Sequence, residues 1–303
     1  MNLPPFARPT ALVAATLLAA CGGGGGSAGG QPPTVSSTSA STATPMYSQT
    51  LVVTVNGNNL DQGLGGSSSG CSSVTLGTTA PYVSTATTAY LKCTVAGVGA
   101  QVLNVTRSAD GTTLATQAFT VAVPQVTLAV SNGAGVGGNV VITLAPVQSP
   151  ITVNNFLAYV NSGFYNGTVF HRLSPGFVIQ GGGYAAPLAV SPNTPALKPT
   201  NAGITLEDLN GLSNLQWTVA MARGSSPTSG TSQFFINLVD NTSLDGTSTT
   251  HGYAVFGAVT TGTDVVTAMA GAPCSPWPTF FGPNSRDCLP SPNLVVTGAV
   301  QTR

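Results

Sequence analysis

Short runs rich in β-branched residues, closed by turn-forming residues, dominate this chain, and long stretches of helical periodicity are absent. Residues 51–55 (LVVTV) end at Asn56-Gly57, and residues 89–95 and 101–106 repeat the pattern. Residues 114–123 follow the turn Asp110-Gly111. These four runs predict a small β-sandwich over residues 46–123. Beyond Pro124, residues 126–130 and 139–144 read as paired strands around a Gly-rich turn. Further strands are expected at 169–173, 177–180, 217–221, 234–238, 253–259 and 294–300. Between them, Thr152 is placed to cap a helix whose apolar positions Phe156, Leu157 and Val160 share a face, with Gly163 as its stop. A second helix starts near Thr263 and Asp264, carries Val265, Val266 and Met269, and stops at Gly271. The class is therefore all-β. Eight strands and two helices over residues 124–303 fit a closed antiparallel barrel capped at its ends.

The leader changes the picture of the N-terminus. Residues 1–20 carry Arg8 and then an apolar run from Ala11 to Ala20, interrupted only by Thr16. That run is too short to span a bilayer as a mature helix, so residues 1–20 read as a signal peptide. Its end, Leu18-Ala19-Ala20-Cys21, resembles the bacterial lipobox, which implies an acylated Cys21 as the new N-terminus and a membrane anchor. Gly22 follows, which by the same analogy points to the outer membrane, facing the periplasm. Residues 21–45 hold Gly, Ser, Thr, Ala and Pro without charge. They read as a flexible tether with a root-mean-square span of roughly 25–30 Å. The sandwich after it, taken as immunoglobulin-like, has no catalytic cluster and reads as a spacer or a second grip on unfolded chains.

Cysteine spacing fits an oxidising compartment. Apart from Cys21, the five cysteines divide into Cys71 with Cys93 and Cys274 with Cys288, read as two local disulfides. Closing the second loop is worth roughly 3 kcal/mol in the chain-entropy model. Eight basic and eight acidic side chains leave no net charge and no basic run, so nucleic acid is not an expected partner. Two histidines, with neither HxxxH nor CxxC spacing, suggest no metal site.

The chemistry concentrates in two stretches. Residues 169–183 read VFHRLSPGFVIQGGG, two strands meeting at a Pro-Gly turn, with Arg172 near Phe177 and Gln180. Some forty residues on come Met221-Ala222-Arg223 and then SQFFIN from Ser232 to Asn237. One permanent cation, several rings and neutral amides suit the binding and polarising of a neutral substrate. They do not suit proton transfer or covalent attack. A triad of His171, Ser174 and an Asp is disfavoured, because adjacent strand residues point to opposite faces and no nucleophile elbow is present. His171 reads as a satisfied structural histidine.

Together with YAVFG from Tyr253 to Gly257, these motifs resemble the cyclophilin family of peptidyl-prolyl isomerases, in particular its bacterial periplasmic branch. The resemblance runs from about Gln125 to the C-terminus. It implies a cyclophilin-like eight-stranded barrel, peptidyl-prolyl cis-trans isomerase activity without a cofactor, and proline-containing polypeptide clients. A monomer is the expected state. Arg172 matches the catalytic arginine, and Gln180 the amide that steadies it. Phe177, Phe235 and Leu244 match the walls that receive the proline ring, and Ala222 and Gln233 the neighbouring rim. Three positions depart from the animal pattern. Val178 stands where methionine is usual, Ser243 where a tryptophan gives strong cyclosporin binding, and Tyr253 where the rim has a histidine. Residues 274–292 look like an inserted loop stapled by its own disulfide. The competing reading is a proline-segment-binding chaperone module with little turnover; a third is a structural surface protein whose sandwich matters most.

Overall fold

The computed structural model describes residues 30–192 and 194–303. The expected signal peptide, Cys21 and the first part of the expected tether lie outside the described residues. Residues 32–303 form one compact unit.

The first strand begins inside the segment expected to be a tether. The N-terminal strands are β1 (Thr34–Ala40), β2 (Thr50–Asn58), β3 (Leu64–Ser67), β4 (Cys71–Leu76), β5 (Thr78–Thr79), β6 (Tyr82–Val83), β7 (Thr88–Val95), β8 (Gly99–Arg107) and β9 (Thr113–Val121). β1 pairs with β2 from Thr34 opposite Asn58 to Ala40 opposite Val53. Its hydroxyl side chains hide it from a hydrophobicity count. Main-chain bonds at the sheet edge hold it, while Val35 and Ala40 pack on the core. One sheet runs β1-β2-β7-β4 and a second β3-β8-β9, while β5 and β6 pair only with each other. Leu51, Val53 and Val55 of β2 and Leu91 of β7 are fully buried in one core with Leu103, Val105, Phe119 and Val121 of the second sheet. This is the period-2 burial of a sandwich. A disulfide joins Cys71 and Cys93 on the paired strands β4 and β7, with Cα atoms 5.5 Å apart.

The C-terminal part comprises β10 (Gln125–Ser131), β11 (Gly137–Leu144), α1 (Pro150–Asn161), β12 (Thr168–Ser174), β13 (Val178–Ala185), β14 (Thr218–Met221), β15 (Phe234–Asn237), β16 (Val255–Thr261), α2 (Thr263–Ala270), β17 (Cys274–Pro276), α3 (Pro278–Phe281), β18 (Cys288–Pro290) and β19 (Leu294–Gln301). The strands β13-β15-β14-β16-β11-β10-β19-β12 follow one another, and pairing of β12 with β13 closes the ring. This is the expected eight-stranded antiparallel barrel. The hairpin β17–β18 extends the sheet outward from β12. The short α3, inside that hairpin, was not expected. Buried residues of sandwich and barrel form one continuous cluster. Gln301 of the last strand donates from Nε2 to the Tyr47 carbonyl at 3.0 Å and accepts from Asn161 of α1 at 3.1 Å.

The helix ends confirm the expected stops and correct one start. Gly163 follows α1 with φ +71°, a conformation costly for other residues, and Gly271 ends α2. Thr152, however, lies within α1, whose N-cap is Ser149. Ser149 does not cap with its side chain; its Oγ donates to the Val255 carbonyl at 2.7 Å. The free amides are met by Glu207, which accepts from Ile151 N at 3.1 Å and Thr152 N at 2.8 Å. Thr152 Oγ1 donates to the same carboxylate at 2.7 Å. A carboxylate at the positive end of a helix is the favourable sign. Among the described residues no helix is long and apolar enough to cross a membrane.

Candidate active site

One row of strand partners builds the site. Arg172 of β12 lies opposite Gln180 of β13, which lies opposite Phe235 of β15. Phe235 faces Ala220 of β14, and Ala220 faces Val255 of β16. Val178, Ala220, Phe235 and Val255 form a small apolar cluster separate from the main core, with Phe177, Leu244 and Tyr253 packed on it. Their sequence neighbours Ile179, Val219, Phe234 and Phe256 belong to the main core. Alternation along the strands thus gives the barrel its filling on one face and the site its floor on the other.

A register shift places the cation. Phe170 is fully buried in the main core, so strict alternation would send Arg172 inward too. The β12–β13 pairing slips between Phe170 and Arg172, and the guanidinium lines the cleft instead. The turn that follows is of the kind expected: Phe177 N donates to the Ser174 carbonyl at 3.0 Å, and Gly176 has φ +70°. The Phe177 carbonyl then accepts from Leu238 N and from Asn241 Nδ2, both at 2.9 Å, which fixes the ring at the cleft wall.

Arg172, Phe177, Val178, Gln180, Ala222, Arg223, Phe235, Leu244 and Tyr253 surround a cleft of about 160 Å³. Eight of these nine are residues singled out from the sequence. Gln233, the remaining one, lines an adjoining hollow of about 240 Å³ together with Gln180, Ala222 and Arg223. The amides form a relay: Arg172 Nη1 donates to Gln180 Oε1 at 3.1 Å, and Gln180 Nε2 donates to Gln233 Oε1 at 2.9 Å. Leu244 sits on a single 3-10 turn, Thr242–Leu244, with Ser243 beside it. Asp245 ties that turn down, accepting from the Ser213 hydroxyl and from Asn214 N at 2.7 Å and Nδ2 at 2.8 Å. Burial pushes the Asp245 carboxyl up, but these hydrogen bonds outweigh it and hold it below the usual carboxylate value.

Two participants were missed. Arg223 was quoted in a motif without a role. Its Nε donates to the Gly252 carbonyl at 2.9 Å and its Nη2 to the His251 carbonyl at 2.8 Å, and its guanidinium carbon stands 4.9 Å from the centre of the Tyr253 ring. Tyr253 in turn meets Phe235 edge-on at 5.5 Å. The motif signalled Arg223; its function as a brace depends on carbonyls distant in sequence. Asp287 was missed altogether. Its Oδ2 accepts from Arg172 Nε at 2.7 Å, so the arginine has the carboxylate partner that the sequence did not suggest. Burial pushes the Asp287 carboxyl up, but hydrogen bonds from Arg172, Ser174 and Ser285 and the charge of Arg172 hold it below its ordinary value.

His171, read from the sequence as a satisfied structural histidine, keeps one ring nitrogen without a partner. It is buried, edge-on to Tyr184 at 4.7 Å, and its Nδ1 has no hydrogen-bond partner. Burial, helped by the charge of Arg172, lowers its pKa to about 3, so it stays neutral. The second disulfide joins Cys274 and Cys288, with Cα atoms 5.5 Å apart. Among the described residues no group of three or more His, Cys, Asp or Glu could hold a metal ion.

Comparison with known proteins yields a consistent set of likenesses. The family model for cyclophilin type peptidyl-prolyl cis-trans isomerase/CLD matches residues 126–281. The chain is 49% identical over 138 residues to a peptidyl-prolyl cis-trans isomerase of Acinetobacter baylyi, covering 46% of this chain and 70% of that protein. It is 50% identical over 137 residues to the peptidyl-prolyl cis-trans isomerase cyp18 of Streptomyces antibioticus, covering 44% and 78%. Among solved structures, a Cryptosporidium parvum cyclophilin type isomerase determined in the presence of the dipeptide Ala-Pro matches with a TM-score of 0.45 and 23% identity, over 59% of this chain and 99% of that one.

Proposed function

The chain belongs to the cyclophilin-type peptidyl-prolyl cis-trans isomerases and is an enzyme of that activity, and on that premise we propose that Arg172 carries its chemistry by gripping the twisted prolyl amide. The planar peptide bond resists rotation with a barrier of roughly 18–20 kcal/mol. Halfway through the turn, resonance is lost and the nitrogen becomes pyramidal with a free lone pair. A guanidinium donor directed at that nitrogen stabilises the twisted form more than either planar one, which is what acceleration requires. Arg172 never loses its charge, so the donor is always present. Phe177, Phe235 and Leu244 receive the proline ring and exclude water, which strengthens the interaction. Gln180 steadies the arginine and offers its remaining hydrogen-bonding capacity to the client's backbone. Val178, Ala222, Gln233 and Tyr253 complete the rim. No group or electron is transferred, so the reaction needs no cofactor.

The observation that carries this reading is a guanidinium fixed by hydrogen bonds at the edge of an open, ring-lined cleft. Its clients would be proline-containing segments of exported proteins. The leader, the lipobox-like Cys21 and the disulfides support a periplasmic, outer-membrane-anchored protein, with the sandwich, which β1 extends back to Thr34, as a spacer ahead of the isomerase domain of residues 124–303. The rival reading keeps proline binding but has little turnover. Isomerisation of a proline tetrapeptide by the full chain, followed by exchange NMR, separates the two. Catalysed exchange is expected; binding with uncatalysed exchange would favour the rival. Cyclosporin is expected to bind weakly, with a Kd above roughly 100 nM, because Ser243 offers no indole to cover it. Titration calorimetry checks this, and tighter binding would show that the wall at Ser243 is complete without a tryptophan.

A further inference from the structure

The hairpin β17–β18 extends past the stretch matched by the family model, which ends at residue 281. It is well anchored. Trp277 is buried, stacks on Phe280 at 4.7 Å and donates from Nε1 to the Ser191 carbonyl at 2.7 Å. Cys288 is bonded to Cys274 and pairs with Leu173, the residue after Arg172. Asp287, next to Cys288, is thereby delivered to the arginine. Its backbone amide is held by Ser285 Oγ at 3.1 Å.

We propose that Asp287 is a positioning residue for Arg172, and that the disulfide-closed hairpin is the mount that holds it there. The inference rests on the role given to Arg172 above. Asp287 takes the Nε–H of the guanidinium and Gln180 takes one Nη1–H. Two bonds on different edges of a rigid plane stop its rotation, which one bond does not. Among the described residues Nη2 makes no hydrogen bond, which leaves it available to a substrate. The Arg172 and Asp287 side chains are 29% and 16% exposed. The pair is therefore partly shielded from water, while the arginine still reaches the cleft.

The test is isomerisation of a proline tetrapeptide by the full chain, with kcat and KM separated. Displacing a reacting group by about 1 Å costs up to about 100-fold. Because Gln180 still holds one edge, Asp287→Ala is expected to lower kcat about tenfold with KM nearly unchanged. Asp287→Asn, which keeps an acceptor of the same shape, should recover most of that loss. Added to Arg172→Ala, the alanine change should do nothing further. Opening the mount with Cys274→Ser and Cys288→Ser should mimic Asp287→Ala. The Arg172 Nε–H signal in NMR, protected in the wild type, should become fast-exchanging in Asp287→Ala, a readout independent of activity. An Asp287→Ala protein as active as the wild type, or an equal loss in the Arg172→Ala background, would overturn this inference alone. An inactive wild type would overturn the functional reading and this inference with it.

Discussion

Arg172→Ala is expected to reduce kcat/KM for prolyl isomerisation by about 100- to 1000-fold, with most of the loss in kcat. Removing one transition-state hydrogen-bond donor elsewhere costs about 2.7–4 kcal/mol, which is that range of rates. The split between kcat and KM follows from where the apolar contacts lie. Phe177, Phe235 and Leu244 bind the ring whether the amide is planar or twisted, so they set ground-state affinity. The guanidinium acts on a lone pair that exists only in the twisted state. The variant has one complication: it leaves the partly buried Asp287 carboxylate without its cation. Arg172→Lys controls for this. It keeps a charge near Asp287 but cannot hold Asp287 and Gln180 with the same rigid fork, so it should fold normally and still be strongly impaired. Peptide kinetics, with thermal unfolding of each variant alongside, check both. Full activity in Arg172→Ala would shift the chemistry to the apolar walls and remove the arginine from the mechanism.

The sequence showed the barrel and the cleft for the same reason. On β13 and β15 each apolar residue is either filling or floor, as with Phe234 inside and Phe235 in the cleft, so one alternating pattern encodes both. Pro175-Gly176 announced the turn that brings Arg172 and Gln180 opposite each other. What stayed hidden depends on partners far away in the chain. Arg172 and Asp287 are 115 residues apart, and Glu207 caps a helix 55 residues upstream of itself. Neither pair leaves a periodic trace. β1 was hidden differently: an edge strand held by its backbone needs few apolar side chains, so its TVSSTSA reads like a tether. Thr152 has the right chemistry for a cap but lies inside the helix, because Pro150 already occupies the first helical position.

The largest loss of stability is expected from Phe156→Ala, at about 3–5 kcal/mol, the range for removing a fully buried phenylalanine. Phe156 is 0% exposed, and its ring meets Tyr165 at 5.3 Å, Phe234 at 5.5 Å and Phe256 at 5.0 Å. These neighbours cannot readily collapse into the gap. Tyr165 is pinned by its hydroxyl to the Ser232 carbonyl at 2.7 Å, and Phe234 and Phe256 belong to closed barrel strands. The site feels this only indirectly. Phe234 and Phe235 are adjacent on β15, so a shift of that strand to fill the cavity would carry the cleft floor with it. If the strand holds, the cavity persists: the denaturation midpoint falls with an unchanged slope, and kcat stays near wild type at temperatures where the protein is folded. If it yields, part of the stability returns and kcat falls. Denaturant titration and peptide kinetics on the same sample distinguish the two. The closed ring and the pinned tyrosine favour the first outcome, so the stability loss should be large and the catalytic loss small.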